Sequence, residues 1–159
     1  MIGSKPLYTI MWYMNDIEFT DAPDDIEGFV YVITDKRNDK KYVGKKRFWS
    51  VTRKPPLKGK TRKRVVRKES DWMKYYGSSA EVKLLIERGE ASFSRKILKL
   101  CRTKGECSYF ETKYQFDHDV LLRDDYYNAF IGCKIHGKHL PADLKKEPTR
   151  KPEPWHNRS

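Results

Sequence analysis

The first regular pattern of hydrophobic and polar positions along the chain lies between residues 28 and 46. Residues 29–33 and 42–43 are β-branched, aromatic or otherwise apolar, whereas residues 35–40 are polar and rich in turn-forming side chains. Two short hydrophobic runs that flank a turn-prone segment are typical of paired antiparallel strands. The pattern therefore predicts a β-hairpin.

Side chains alternate between the two faces of a strand, which decides which residues of this hairpin can meet. Tyr31 shares a face of the first strand with its apolar neighbours two positions away, and Tyr42, Gly44 and Lys46 share a face of the second. If the pairing places Tyr31 opposite Tyr42 or Gly44, both phenols and the Lys46 ammonium converge on one patch. A slip of one residue separates them.

Two further elements follow from capping and hydrophobic signals. Ser78 and Glu81 have the spacing of a capping box and precede an apolar run that ends before Gly89, which predicts a helix of about three turns. Residues 92–101 form a short apolar run that fits a third strand, and a helical turn is the alternative.

A second capping box, Thr103 to Glu106, predicts a helix that ends near His118. Its apolar stripe consists of Cys107, Phe110 and Tyr114. Glu111 lies at the rim of this stripe, so its carboxylate can reach the surface on which the helix packs.

The basic charge is concentrated in one segment. The 159-residue chain is 38% apolar, which suffices for one core, and its net charge is +12. Residues 45–68 contain twelve of the 34 lysines and arginines and no acid, so the remaining 22 basic residues balance the 22 acidic ones. Because this segment also contains two prolines and Gly59, it predicts a loop that contacts a polyanion such as DNA.

Nine residues of this basic insertion are candidate nucleic-acid contacts. They are Arg47, Lys54, Lys58, Lys60, Arg62, Lys63, Arg64, Arg67 and Lys68. A solvated basic face or a localisation signal is the ordinary alternative for such a run.

Cysteine usage and hydropathy bear on the compartment. Three cysteines, an odd number, in a chain without a secretory leader predict reduced thiols and a cytoplasmic location. Residues 7–14 are largely apolar but too few to span a bilayer, so we expect no membrane association. Zinc binding by Cys133, His136 and His139 is a minor alternative, because a paired cysteine knuckle is missing from the sequence.

The hairpin resembles the signature of the GIY-YIG nuclease superfamily. Residues 29–31 take the place of the first tripeptide and residues 42–44 that of the second, with ten residues between them. Glu111 on a later helix and Asn128 after a short apolar run follow in the family's order, so the resemblance covers about residues 28–128. Among such nucleases the chain is most similar to compact, free-standing phage-encoded enzymes, including the homing kind.

The resemblance implies an α+β fold with a small three-stranded antiparallel sheet flanked by helices. We expect an N-terminal arm over residues 1–27, a nuclease domain over 28–143 with the insertion at 45–68, and a flexible tail over 144–159.

The resemblance also implies phosphodiester hydrolysis in double-stranded DNA. Glu111 would hold one divalent cation, Mg²⁺ or another such as Mn²⁺, because a hard cation prefers carboxylate, water and phosphate oxygens. Tyr31 would orient or deprotonate the attacking water, with Tyr42 and Lys46 around it, and nearby cations would favour a phenolate. Gly44 and Asn128 are expected to support this arrangement.

An arginine that binds the scissile phosphate is also implied, since a guanidinium donates two parallel hydrogen bonds. Arg53 is slightly favoured over Arg47. The alternative from another functional class is a basic nucleic-acid-binding module without catalysis. In that case the bases of the nucleic acid would stack on Trp49, Trp72, Tyr75 and Tyr76.

Overall fold

A computed structural model describes residues 11–90 and 92–145. Its main sheet has five strands. In spatial order they are β2 (Ile17–Phe19), β1 (Trp12–Met14), β7 (Phe93–Cys101), β3 (Gly28–Asp35) and β4 (Lys41–Arg47). A separate two-stranded sheet consists of β5 (Trp49–Lys54) and β6 (Arg64–Glu69). The helices are α1 (Ala80–Glu87) and α2 (Lys104–Asp117), with short 3₁₀ turns at Trp72–Lys74, Gly137–His139 and Ala142–Lys145.

The expected three-stranded antiparallel sheet is present as β7-β3-β4, but the prediction of three strands was wrong. β1 pairs in parallel with β7, and β2 pairs with β1. Asn15 and Asp16 both have positive φ, the geometry of a two-residue hairpin turn whose twist matches that of the strands. Trp12 is fully buried, so part of the expected N-terminal arm belongs to the sheet and its core.

The two faces of the sheet carry different cores. One face holds the predicted apolar side of β3 (Phe29, Tyr31 and Ile33) together with Trp12 and Trp72. The opposite face holds Val30 and Val43 beneath α2. β4 is the edge strand of this sheet. Side chains from the two faces can therefore meet beyond the outer edge of β4.

The helix termini explain the lengths of both helices. Ser79, not Ser78, is the N-cap of α1, and its hydroxyl accepts from the backbone N–H of Val82. Gly89 has φ of +64°, and the N–H groups of Gly89 and Glu90 bond back to the carbonyls of Ile86 and Leu85. This is a Schellman ending, so α1 has about two turns rather than three.

For α2 the predicted cap is confirmed. The Thr103 hydroxyl accepts from the Glu106 N–H, and the buried Glu106 carboxylate accepts from the Arg102 N–H. The third strand is confirmed as well, and a bulge opposite Val30 and Tyr31 shifts its register with β3.

Candidate active site

Tyr31 reaches the edge of the sheet by passing over Gly44. The two residues are partners in the β3-β4 register, which is one of the two pairings that were expected to bring the phenols together. A Cβ atom added at Gly44 would lie 2.5 Å from Tyr31 Oη and 2.8 Å from Tyr31 Cζ. The phenol therefore occupies the space that any other residue at position 44 would fill.

Tyr42 lies beside Tyr31 on the same side of the hairpin. Their ring centroids are 6.3 Å apart, and Tyr42 Oη is 2.7 Å from Ser78 Oγ. Gly77, with φ of +92°, packs against both phenols, because a Cβ atom there would lie 3.1 Å from the Tyr42 ring and 3.3 Å from Tyr31 Oη. The residues before α1 thus form one wall of the site.

Tyr75 is a third tyrosine in this cluster, which sequence reasoning named only as a possible base-stacking residue. Its ring packs edge-on against that of Tyr31, with the ring centroids 6.0 Å apart. Lys46 Nζ lies 4.1 Å from the centroid of the Tyr75 ring and 2.6 Å from Asp71 Oδ1. Lys46 is thus connected to Tyr31 through Tyr75.

Arg95 holds the backbone beneath this tyrosine cluster. It is 1% exposed, and its Nη1 donates to the carbonyls of Met73 and Tyr75 at 2.8 and 2.9 Å. The guanidinium lies over the rings of Trp12 and Tyr76, and burial lowers the pKa of Arg95 to about 10. Sequence analysis missed this residue, since an arginine inside a strand pattern is ordinarily solvated.

Glu111 approaches the same sheet edge from α2, on the opposite face. Its side chain is 15% exposed, and its Oε2 lies 3.0 Å from Lys45 Nζ. Burial raises the pKa of Glu111, and the hydrogen bond and charge of Lys45 act in the opposite direction. Lys45, which sequence reasoning did not single out, is thus the cation beside this carboxylate.

A pocket of about 340 Å³ contains both Glu111 and Tyr42. Asn128 closes one side of it: Oδ1 accepts from the Val43 N–H at 3.0 Å, and Nδ2 donates to the Val43 carbonyl at 2.8 Å. Gln115 Nε2 donates to the same carbonyl at 3.1 Å. These amides satisfy the outward-facing backbone groups of Val43 on the edge strand.

Comparison with protein families agrees with this geometry. Residues 12–131 match a family model described as "Putative endonuclease segE, GIY-YIG domain". The chain belongs to this GIY-YIG family. The matched range includes β1 and β2, in addition to the strands that carry the two tripeptides. Searches of curated proteins and of solved structures found no match to the chain.

The protonation of Tyr31 differs from the sequence-based hypothesis. Burial raises the pKa of Tyr31 well above its ordinary value, and Tyr75, Tyr42 and the Glu111 charge act in the same direction. The expectation that neighbouring cations favour a phenolate was therefore wrong in direction for this GIY-YIG protein. At neutral pH Tyr31 is a neutral phenol that can donate a hydrogen bond.

GIY-YIG nucleases generally use divalent metal ions, and the donor set around Glu111 fits one. A single carboxylate at an open pocket leaves room for water and phosphate oxygens, as Mg²⁺ prefers. Burial of an unneutralised carboxylate is unfavourable, so a cation beyond Lys45 would stabilise its ionised form.

The basic insertion is a β-hairpin, so the prediction of an irregular loop was wrong for most of it. β5 and β6 pair over six residues each, and the two prolines and Gly59 lie in the connecting loop. Trp49 anchors the base of the hairpin through a hydrogen bond from Nε1 to the Ile26 carbonyl.

This hairpin carries Arg53 and eight of the nine predicted contact residues, whereas the ninth, Arg47, lies on β4. Arg53 and Lys54 lie on β5; Lys58, Lys60, Arg62 and Lys63 lie in the loop; Arg64, Arg67 and Lys68 lie on β6. These nine hairpin residues are exposed, and none of them forms an ion pair with another residue in the described ranges.

Neither candidate for the phosphate-binding arginine lines the pocket at Glu111. Arg53 is exposed on β5, and Arg47 on β4 is paired with Glu27, its Nη2 2.6 Å from Oε1. The structure thus brings Tyr42, Glu111 and Asn128 into one pocket, places Tyr31 beside Tyr42 and Gly44, and leaves Arg53 on the separate hairpin.

The residues considered for zinc make other contacts. The Cys133 thiol bonds to the Ser108 carbonyl, and His136 Nδ1 accepts from the Lys138 N–H. All three cysteines are free. Within residues 11–90 and 92–145, no group of three or more histidine, cysteine, aspartate or glutamate side chains is placed to hold a metal ion, and no helix is long and apolar enough to cross a bilayer.

Proposed function

We propose that this chain is a metal-dependent endonuclease that hydrolyses phosphodiester bonds in double-stranded DNA. The observation that carries the proposal is the meeting of two phenols and one carboxylate at the edge strand β4. Tyr31 and Tyr42 arrive from one face of the sheet and Glu111 from the other, and Glu111 is close enough to Tyr31 to affect its pKa. An ordinary structural hairpin has no need of this arrangement.

Each group has a role that its protonation allows. Glu111 would hold Mg²⁺ or Mn²⁺, which supplies charge neutralisation at the phosphate and at the leaving oxygen. Tyr31, as a neutral phenol, would orient the attacking water by hydrogen bonding, and the Tyr75 ring packs beside it. Tyr42, bonded to Ser78, would contact a non-bridging phosphate oxygen.

Lys46 has a supporting role in this proposal. Its ammonium lies over the Tyr75 ring, so its charge interacts with the π face of Tyr75, which packs against Tyr31. Arg53 or Arg47 would contact phosphates that flank the cleaved one, because neither lines the pocket of Glu111.

The basic hairpin supports DNA as the substrate. Its exposed arginines and lysines have no ionic partners among the described residues, so they are available for phosphates. We propose that Lys54, Lys58, Lys60, Arg62, Lys63, Arg64, Arg67 and Lys68 of the hairpin contribute to this contact, together with Arg47 on the neighbouring strand β4, which is paired with Glu27.

A plasmid assay tests the proposal. Supercoiled plasmid is incubated with wild type and with Glu111→Gln, each with Mg²⁺ and with a chelator. Glu87→Gln is the matched control, because it removes one exposed glutamate away from the pocket. Conversion to nicked or linear DNA by wild type and Glu87→Gln, only with Mg²⁺, is the expected result. Equal cutting by Glu111→Gln, or cutting in the chelator, would refute the roles assigned.

The alternative is a basic module that binds nucleic acid without cutting it. The structure leaves it fewer stacking residues than expected, because Trp72 and Tyr76 are buried. It requires that wild type bind DNA equally with and without Mg²⁺ and cut under neither condition.

Within the family, we propose a phage-type homing endonuclease that acts in the cytoplasm of a bacterial host. The compact domain and the segE description of the matching family support this assignment. A homing enzyme cuts few sites, so digestion of a large phage DNA should yield a few discrete fragments. A continuous smear of products would contradict the homing role.

A further inference from the structure

A second concave surface, distinct from the Glu111 pocket, lies at the start of α2. This groove has a volume of about 710 Å³. Its basic lining residues are Arg47, Arg102, Lys104, Lys134 and Lys138, and its only acidic one is Glu27. We call it the basic groove.

Three lysines of the basic groove have no ionic partner among residues 11–90 and 92–145. Arg47 is paired with Glu27, and Arg102 with Glu106 and Asp143. Lys104, Lys134 and Lys138 are exposed and form no ion pair within the described part of the chain. Like charges gathered in one concavity repel each other, and a bound polyanion relieves this repulsion.

The basic groove is linked to the candidate active site through Lys45. Ser108 lines the groove, and its Oγ accepts a hydrogen bond from Lys45 Nζ at 2.9 Å. The same Nζ lies 3.0 Å from Glu111 Oε2. One ammonium therefore joins the groove to the carboxylate, along one face of α2.

The spacing along α2 suits a DNA backbone. Lys104 precedes Glu111 by seven residues, or about 10 Å of helix. Base pairs of duplex DNA are about 3.4 Å apart along the axis, so this distance corresponds to about three base pairs.

We propose that the basic groove binds the phosphate backbone of the duplex on one side of the cut, about three base pairs from the phosphate at Glu111. The inference rests on the proposed nuclease function. It assigns Lys104, Lys134 and Lys138 as backbone contacts that are separate from the basic hairpin.

The test compares two triple variants of equal charge. The groove variant carries Lys104→Ala, Lys134→Ala and Lys138→Ala. The control carries Lys36→Ala, Lys83→Ala and Lys96→Ala, three exposed lysines that line neither the groove nor the Glu111 pocket. Affinity for a fluorescent random-sequence duplex is measured against salt concentration in the presence of chelator, after circular dichroism has verified folding.

The groove variant should lose the salt dependence of about three phosphate contacts. The slope of log affinity against log salt concentration should be smaller in magnitude by about 2.7 than that of wild type. The ratio of the wild-type affinity to the affinity of the groove variant should therefore fall about 40-fold between 50 and 200 mM salt. The control should keep the slope of wild type. If both triple variants lose the same amount of slope, the effect comes from net charge alone. If neither slope changes, the groove does not contact DNA and something else, such as an acidic protein segment, occupies it. Either result overturns the proposal.

A second measurement locates the contact. Once a plasmid cut has been mapped, a set of duplexes is made from that site. In each duplex one phosphate, at a different distance from the cut, is replaced by a neutral methylphosphonate. Wild type should lose affinity at about three base pairs, and the groove variant should not. If wild type binds with the expected slope but never cuts plasmid, the nuclease proposal fails while the groove remains a DNA contact.

Discussion

Replacing Gly44 by alanine should separate catalysis from folding in this protein. The new Cβ atom would lie 2.5 Å from Tyr31 Oη and 2.9 Å from Tyr42 Cε1, whereas ordinary contacts begin at 3.4 Å. The Tyr31 hydroxyl must therefore move by about 0.9 Å. Tyr31 is 1% exposed and packed against Trp12, so it has little free space to move into.

Two magnitudes follow from this displacement. Overpacking of a core costs about 1–3 kcal/mol of unfolding free energy, which a domain of this size can tolerate. A misplacement of about 1 Å in a catalytic group can lower the rate about 100-fold. We therefore expect a folded Gly44→Ala protein that binds DNA with the affinity of wild type and cuts about 100-fold more slowly.

The assay is plasmid cleavage at saturating protein, together with urea unfolding. Gly132→Ala is the control in the same pocket, because its Cβ atom would lie 3.7 Å from the nearest ring atoms, those of Phe130. Adding Tyr31→Phe to Gly44→Ala removes the closest contact, so stability should partly recover while cleavage stays low. Full cleavage by Gly44→Ala would refute the argument that the Tyr31 hydroxyl acts from its position above Gly44.

Two further predictions concern groups beneath the site. Burial raises the folded-state pKa of Glu111, so its contribution to stability is complete below the unfolded pKa and is lost as pH rises through the folded one. Glu111→Gln should therefore melt close to wild type near pH 4 and above it at pH 8 without metal; a variant less stable at pH 8 would contradict this sign. Arg95→Met should lower the unfolding free energy by at least about 2 kcal/mol, since two buried carbonyls lose their donor, and Arg95→Lys should lose less. Urea unfolding measures both variants, and a loss within about 0.5 kcal/mol for Arg95→Met would contradict the bracing role.

Much of the fold follows from local rules that the sequence displays. The β3-β4 hairpin, strand β7 and the cap of α2 depend on neighbouring residues, namely alternation and a Thr-x-x-Glu box. The first two strands depend on a partner far along the chain, because β1 is ordered by parallel pairing with β7. Asn15 and Asp16 were a usable turn signal for β2, but pairing with a strand some 80 residues away has no local signature.

The basic segment shows how charge can hide secondary structure. Its density of cations and its two prolines favour an irregular loop, yet Val51 and Val65 lie on strands that pair in register. The prolines and Gly59 fall in the connection, where they do not interrupt the ladder. A charge count over the whole segment does not distinguish its two ends, which form strands, from its middle, which forms the loop.

The site escaped prediction in part because it uses both faces of one strand. Lys45 and Lys46 are adjacent on β4, so their side chains point to opposite faces: Lys45 reaches Glu111, and Lys46 reaches Tyr75. An argument that keeps all functional groups on one face selects Lys46 and overlooks Lys45. Because β4 is the edge strand and Gly44 lacks a side chain, Tyr31 can pass over it toward the carboxylate on the other face. An added strand opposite Gly44 would block this passage. Among the described residues, β4 pairs on its outer side through one bridge, between Lys41 and Tyr126, and beyond it Asn128 and Gln115 bond to Val43 in place of a strand.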